Sequence, residues 1–415
     1  MQVVSTVENN VSSRKWIIVF IFCFLALVTD GADVMALSYS LSSIKKEFGL
    51  DDIGVGMLGS ISLFGMGFGG VIGGWASDKF GRVRAVVVSI LCFSIFTGIL
   101  GFTRNFYEFA ILRFIASLGL GTVYIVSVGL LSEFVPTKYR TTILATMQTG
   151  WTFGYIVAAL AAGIVIPEFG WRVLFQLGFF SIILAILMHF FVPESNAWKN
   201  DQLNKKSKPQ VERSQSTFAI IFKDKLILKS FILWIAASAF MHFGYYGVNN
   251  WMPLYLEKEL GMHFKSLTLF MVGSYAAMVF GKILAGFMAD KFGRRFTFCF
   301  GAVTTAIFLI IIVMYHTPGN ILYFLIIFGF LYGIPFGVYG AYMTESFPTH
   351  VRGTAIGTAH NIGKMGSTIA PITIGFIASN TSIGMGFLVM GVAYLICAAP
   401  VLFIKEKMYN PNAES

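Results

Sequence analysis

Apolar residues run through this chain in long, nearly unbroken stretches, and polar residues gather in the short breaks between them. Twelve such stretches stand out: 16–41, 55–77, 83–102, 108–132, 141–166, 172–192, 230–256, 267–289, 296–315, 320–344, 353–378 and 383–404. A helix of about 20 apolar residues crosses the hydrocarbon of a bilayer. A helix also satisfies its own backbone polar groups, which lipid cannot do. The pattern therefore predicts an all-α membrane protein of twelve transmembrane helices. The first stretch follows Arg14 and Lys15, carries no small-residue cleavage site and is followed by further spans, so it reads as a retained helix rather than a removed signal.

Composition agrees with the pattern. Of 415 residues, 56% are hydrophobic and 12% charged, against about 25% charged in soluble domains. That excludes a cytosolic enzyme, a secreted module and a nucleic-acid binder. The four cysteines, Cys23, Cys92, Cys299 and Cys397, each sit within an apolar stretch, with neither metal-ligand spacing nor a disulfide framework. They read as buried, inert thiols, and no metal site is expected.

Charge sets the orientation. Twenty-one of the 30 Lys and Arg residues fall on the side of the termini, six on the other side and three within spans. The positive-inside rule then puts both termini in the cytoplasm, of the bacterial inner-membrane type. The long polar stretch at 193–229 lies on that same side. It reads as a linker between a six-helix half at 1–192 and another at 230–415, with a short surface helix at 216–225. Contact of its basic residues with lipid headgroups is an alternative to a plain solvated connector.

The halves overlay at one offset. GWASDKFGRVR at 74–84 matches GFMADKFGRRF at 286–296, SEFVPTKYRT at 132–141 matches TESFPTHVRG at 344–353, and EFGL at 47–50 matches ELGM at 259–262, each displaced by 212 residues. Gly121 falls on Gly333 and Gly154 on Gly366. The chain thus reads as two parallel six-helix repeats, each expected to contain a three-plus-three inverted repeat. In that architecture the substrate site lies near the midplane and rocking gives alternating access.

The repeated loops carry a resemblance. Gly74, Asp78, Lys79, Gly81 and Arg82, repeated as Gly286, Asp290, Lys291, Gly293 and Arg294, form a GxxxDKxGR pattern similar to the signature of the major facilitator superfamily. Arg113, Gly119 and Gly121 in the fourth span fit the same family. One departure is Val83, where many members carry a basic residue, with Arg84 beside it. The resemblance covers 16–404 and implies the family's fold, with Gly74, Asp78, Arg82, Gly286, Asp290 and Arg294 as gating-loop residues. A carboxylate at a helix end can face a neighbouring helix N-terminus or an arginine. If it does so in one state only, it biases the equilibrium between states. Topology setting alone explains the basic residues but not the repeated Asp. Glu133 with Arg140, and Glu345 with Arg352, recur in the same way and are expected to tie helix ends together.

Inside the first span, Asp30 and Asp33 are the two deeply placed acids. Each costs about 2.5–3.5 kcal/mol on the insertion scale at the bilayer centre. Three residues apart, they share a helix face, and Gly31 between them permits close helix approach. Two readings stay open: a carboxylate pair that exchanges protons, and an ion pair with Arg113 that fixes helix packing. The DGAD sequence is similar to the DGxD motif of the aromatic acid/proton symporters within that superfamily, which take up benzoate, hydroxybenzoates and cis,cis-muconate. That resemblance implies proton coupling through Asp30 and Asp33, with the proton as coupling ion and no further cofactor.

Three cations lie within spans: Arg113, Lys282 and Lys364. Set against two acids, they predict an anionic substrate, since an ammonium holds a carboxylate as a point charge and Arg holds one bidentately. Snorkelling to an interface is the alternative for either lysine. His242, His360 and Asn361 share the depth of Lys364, and His242 falls on Asp30 in the repeat. Aromatic and amide groups accompany them: Tyr245, Tyr246, Asn249 and Asn250 in the seventh span, Gln148 and Trp151 in the fifth, and Tyr332 and Tyr339 in the tenth. Flat rings beside amides suit a planar, conjugated acid. Trp251 and Tyr255 fit an interfacial aromatic belt. The expected activity is proton-coupled uptake of an organic carboxylate, leaning to a cis,cis-muconate-type dicarboxylate or an aromatic acid. A proton-coupled exporter and a transporter-like sensor are the alternatives. The expected partners are a small organic anion and the bilayer, with no nucleic acid, and the carrier is expected to be monomeric.

Overall fold

The computed structural model describes residues 2–135, 140–196, 198–200, 203, 217–317 and 319–406, and among these no strand occurs. The first six spans are α1 (Gln2–Phe48), α2 (Asp52–Phe80), α3 (Arg82–Leu100), α4 (Phe106–Phe134), α5 (Arg140–Phe169) and α6 (Trp171–Phe191), the last tightened to a 3-10 turn at Leu177–Phe180. The next six are α7 (Lys225–Lys258), α8 (Phe264–Phe292), α9 (Arg294–Tyr315), α10 (Ile321–Glu345), α11 and α12 (Ile383–Leu402). Eleven of the described helices are long and apolar enough to cross a membrane. The remaining span, α11, is built in pieces.

The helices overrun the apolar stretches because polar residues cap them. Asn105 accepts from the Glu108 amide at 3.0 Å, while Glu108 accepts from the Asn105 side chain and from the Arg104 amide. Asp224 accepts from the amides of Leu226 and Ile227 at the start of α7. Such caps are each worth about 1 kcal/mol.

The stretch at 353–378 is not the single helix its hydropathy predicts. It runs Thr349–Gly366, then a 3-10 turn Ser367–Ile369, then Ala370–Asn380. Pro371 brings no N–H to the helix ladder. The next amide, on Ile372, turns to the Ser60 hydroxyl at 3.2 Å, and the Pro371 carbonyl accepts from the Trp251 indole at 3.0 Å.

The chain forms two compact units. One comprises 1–36, 64–158 and 169–211, and the other 37–63, 159–168 and 212–415. Within each, glycines let helices meet backbone to backbone. A Cβ on Gly69 would strike the Leu118 carbonyl, and one on Gly121 the Met66 carbonyl, which joins α2 to α4. In the second unit Gly281 meets the Phe330 carbonyl and Gly333 the Met278 carbonyl, joining α8 to α10. Every one of these positions is displaced by 212 from its counterpart. Close approach through small residues is how helices associate in lipid, where no hydrophobic force separates side chains from solvent.

The loops between α2 and α3 and between α8 and α9 repeat in three dimensions as well. Arg82 bonds Asp78 and reaches Glu133 at 3.2 Å; Arg294 lies 2.5 Å from Asp290 and reaches Glu345 at 3.2 Å. The ties expected from Glu133 and Glu345 therefore exist, but they run to the loop arginines. Arg352 instead bonds the Phe347 carbonyl at 3.1 Å. Gly81 (φ 113°) and Gly293 (φ 94°) supply the left-handed turn into each following helix. The surface helix expected at 216–225 is present as Thr217–Lys223. Of the basic residues at 193–229 considered for lipid contact, Lys205, Lys206, Lys208 and Arg213 lie outside the described residues.

Candidate functional site

In the first unit the chemistry centres on α1. Asp30 and Asp33 are both buried, as is Arg113 of α4. The Arg113 guanidinium lies 2.7 Å from one Asp33 oxygen and 3.2 Å from the other, and Thr97 of α3 donates to the same carboxylate at 2.9 Å. A third guanidinium contact reaches the Asp33 backbone oxygen at 3.4 Å. Of the two readings open for this region, the ion pair is formed. It also changes the charge argument, because Arg113 meets its counter-charge within the protein, and one cation and one acid leave the count together. Thr97 carried no signal in the sequence.

Asp30 stands one turn before Asp33 on α1, fully enclosed by the surrounding helices. The crossing of α1 with α5 is tight: Gly31 lies against the Trp151 carbonyl, and Gly154 against Val28 and Gly31. Trp151 is buried, edge-on to Tyr124 at 5.9 Å and tilted against Tyr155 at 6.3 Å. Gln148, three residues earlier, is exposed.

In the second unit α7, α10 and α11 build an aromatic cluster around two imidazoles. His242 and His360 meet edge to face with ring centroids 5.0 Å apart. Tyr246 stacks on His242 at 6.2 Å, Phe336 meets His242 edge-on at 5.9 Å, and Lys364 places its ammonium 5.8 Å from the Tyr246 ring centre. Ser238, one turn before His242, lies 2.8 Å from the Tyr339 hydroxyl, which in turn lies 3.4 Å from His360 Nδ1. Asn361 is half-buried beside His360. Next to this group, Tyr245 and Tyr332 stack at 5.2 Å, and Asn249 donates to the Tyr332 hydroxyl at 2.8 Å. Tyr332 itself donates to the Tyr245 carbonyl at 2.8 Å. The structure thus brings together His242, His360, Lys364, Tyr245, Tyr246, Asn249 and Tyr332. Ser238 and Phe336 complete the cluster; neither stood out in the sequence, and the i−4 spacing of Ser238 to His242 was the one signal for the serine.

Lys282 of α8 is half-buried, and its backbone lies against Gly333 and Gly337 of α10. Trp251 and Tyr255 do not form an interfacial belt. They are 0% and 1% exposed, Trp251 bonding Pro371 and Tyr255 packing on Phe387 at 5.0 Å. The α7 segment that carries them is enclosed by α11 and α12, so their polar atoms find protein partners rather than headgroups.

The two DKFGR loops gain partners the sequence did not announce. Glu194 accepts from the Arg82 and Val83 amides at 2.9 and 3.1 Å, capping α3. Glu406 accepts from the Arg295 amide at the start of α9. The two carboxylates are 212 residues apart, so the repeat extends to them. Gly74 and Gly286 have open space where a Cβ would stand.

Stacked apolar helices, broken where a proline removes a donor and carrying buried charge, define a multi-pass membrane carrier. The family model described as Major Facilitator Superfamily matches residues 23–359 and 264–414, and the chain belongs to that superfamily. It is 60% identical over 406 residues to the "Cis,cis-muconate transport protein" of Acinetobacter baylyi, covering 98% of each chain. It is 27% identical over 441 residues to the "Benzoate transport protein" of the same organism, covering 98% of this chain and 93% of that one. Among solved structures, a D-xylose-proton symporter superposes with a TM-score of 0.78 at 21% identity, covering 94% of this chain and 99% of that one. At that identity the likeness fixes the fold: twelve helices in two six-helix halves.

Proposed function

We propose that the chain is a proton-coupled uptake carrier for an organic carboxylate, with a cis,cis-muconate-type dicarboxylate first and aromatic monocarboxylates such as benzoate second. The observation that carries this is the 60% identity, over 98% of both chains, to a protein named for cis,cis-muconate transport. The second-unit cluster supports it chemically. Lys364 supplies a point charge for a carboxylate, and the rings of Tyr245, Tyr246 and Tyr332 offer flat apolar faces to a conjugated skeleton. The Asn361 amide supplies a neutral donor, and Asn249, which gives its amide hydrogens to the Tyr245 carbonyl and the Tyr332 hydroxyl, holds the stacked rings in place. Lys282 is the second cation in this reading.

Asp30 is the proposed proton carrier. Asp33 and Arg113 hold each other and position the segment that bears it. The coupling ion is the proton, and no other cofactor enters. Coupling is needed because an inside-negative potential opposes entry of an anion by about 2.3 kcal/mol per charge per 100 mV. One proton makes a monoanion electroneutral, and two do so for a dianion. We place the carrier in a bacterial cytoplasmic membrane as a monomer, with both termini inside, halves at 1–192 and 230–415 and the linker at 193–229 between them. The Asp78 and Asp290 loops act as latches on the cytoplasmic side.

The test is competition. Purified protein in liposomes takes up labelled cis,cis-muconate in the presence of unlabelled muconate, benzoate, 4-hydroxybenzoate or xylose. Inhibition by muconate above the aromatic acids, with none by xylose, supports the reading. Absence of muconate uptake overturns it.

A further inference from the structure

The break in α11 has a partner for each backbone group it exposes. Pro371 brings no N–H, the Ile372 amide donates to the Ser60 hydroxyl of α2 at 3.2 Å, and the Pro371 carbonyl accepts from the Trp251 indole of α7 at 3.0 Å. Hydrocarbon offers nothing to such groups, so a broken helix persists only where protein or water takes them. Here one residue of α2 and one of α7 do so.

The repeat shows that the break and its latch belong together. Displaced by 212 residues, Pro371 falls on Ala159 and Ser60 on Val272. α5 runs unbroken past Ala159, from Arg140 to Phe169. It therefore exposes no amide at that point, and Val272 has none to receive. The proline and the serine occur as a pair, in one half only.

The two sides of the break are seated on different helices. The inner part, Thr349–Gly366, carries His360, Asn361 and Lys364 and lies on α7, with Gly363 against Ser238 and Gly366 against Ala239. The outer part, Ala370–Asn380, lies on the start of α2, with Gly375 against the Asp52 carbonyl and Gly56 and Gly59 against Pro371. Between them is the 3-10 turn Ser367–Ile369. A short 3-10 stretch inside a helix commonly marks a hinge. Trp251 keeps the foot of the outer part on α7, so the Ser60 bond is the one given up when that part leaves α2.

From this arrangement we propose that Ala370–Asn380 is a gate leaf, hinged at Ser367–Ile369 and latched to α2 by Ser60, whose opening gives the substrate a way to the inner part of α11 from the face opposite the DKFGR loops. The leaf moves while the inner part stays on α7, so His360, Asn361 and Lys364 keep their places as the way to them opens and shuts. In the open position water replaces Ser60 at the Ile372 amide. One hydrogen bond is exchanged for another, which keeps the two positions close in free energy. The inference rests on the Proposed function for the identity of the substrate and adds a moving part to it.

Hydrogen exchange of the full-length carrier in detergent, read by mass spectrometry over peptides spanning 366–380, reports opening of the leaf without any substrate. Ser60→Ala should raise exchange there by about fivefold, the factor set by the net worth of one hydrogen bond, and Ser60→Thr, which keeps the hydroxyl, should match the wild type. Pro371→Ala keeps a Cβ against Gly59 and restores an N–H, so the helix can run through as α5 does, and exchange should fall below the wild-type rate. Wild-type exchange in both Ser60→Ala and Pro371→Ala overturns the proposal. Exchange of labelled cis,cis-muconate across liposomes then tests the gate. Pro371→Ala should turn over about fivefold more slowly than the wild type, with an unchanged inhibition constant for unlabelled muconate. Turnover at the wild-type rate overturns the leaf as a gate. Absence of muconate exchange by the wild type removes the substrate assignment alone, and the hydrogen-exchange result still decides the leaf.

Discussion

Asp33 and Arg113 close a buried ion pair across α1 and α4, with 2.7 Å between guanidinium and carboxylate and side chains only 4% and 1% exposed. The second unit has no such pair at the repeated positions, where Tyr245 and Leu325 stand instead. The repeat thus carries charge in one half and an aromatic–aliphatic pair in the other. Breaking a buried pair strands one charge and costs about 3–5 kcal/mol, while replacing both partners removes the stranded charge. Arg113→Leu should accordingly lower the thermal midpoint in detergent sharply, and the double variant Asp33→Asn/Arg113→Leu should recover part of the loss. A double variant less stable than Arg113→Leu alone would contradict the pairing.

Glu194 and Glu406 each close a helix N-terminus beside a loop arginine. Glu194→Ala should destabilise the carrier by about 0.5–2 kcal/mol, the range for loss of an N-cap oxygen. Glu406→Ala should do likewise. Gly81→Ala should cost more than an ordinary surface change, because the turn has φ 113° and the new Cβ would strike the Glu194 carboxylate. Thermal unfolding of the three variants checks all of this, and wild-type midpoints would refute the cap.

Asp30→Asn keeps the shape of the side chain and removes its charge. The expected outcome is loss of accumulation against a gradient with retention of substrate counterflow at equal pH, because exchange of bound substrate needs no net proton movement. Accumulation at the wild-type level would end the coupling role of Asp30.

Lys364→Ala should weaken dicarboxylates more than monocarboxylates. A charge-assisted hydrogen bond is worth about 1.5–3 kcal/mol, so muconate affinity should fall by about tenfold or more, and benzoate affinity by less. Inhibition constants for the two acids measure the difference, and equal losses would remove Lys364 from dicarboxylate selection.

The spans were legible because hydrocarbon demands long apolar helices, and the repeat was legible because loop glycines and charges recur at one offset. The break in α11 was not legible. Pro371 can open a helix as readily as interrupt one, and the Ser60 hydroxyl that takes the Ile372 amide lies 312 residues away. Asp33, Arg113, His242 and Lys364 announced themselves as polar groups in apolar surroundings, which is costly and so informative. Their neighbours Thr97, Ser238 and Phe336 are ordinary residues of membrane helices and became visible only as contacts. Trp251 and Tyr255 misled for a related reason. Their amphipathic rings suit an interface, and only the enclosing helices show them buried.

Accumulation of labelled cis,cis-muconate by wild-type carrier in liposomes, under an imposed pH gradient acid outside and with the membrane potential clamped at zero, tests the central claim most directly. The account predicts uptake well above the external concentration that collapses when a protonophore is added. Equilibration without accumulation, or accumulation only when the gradient is reversed, would contradict it.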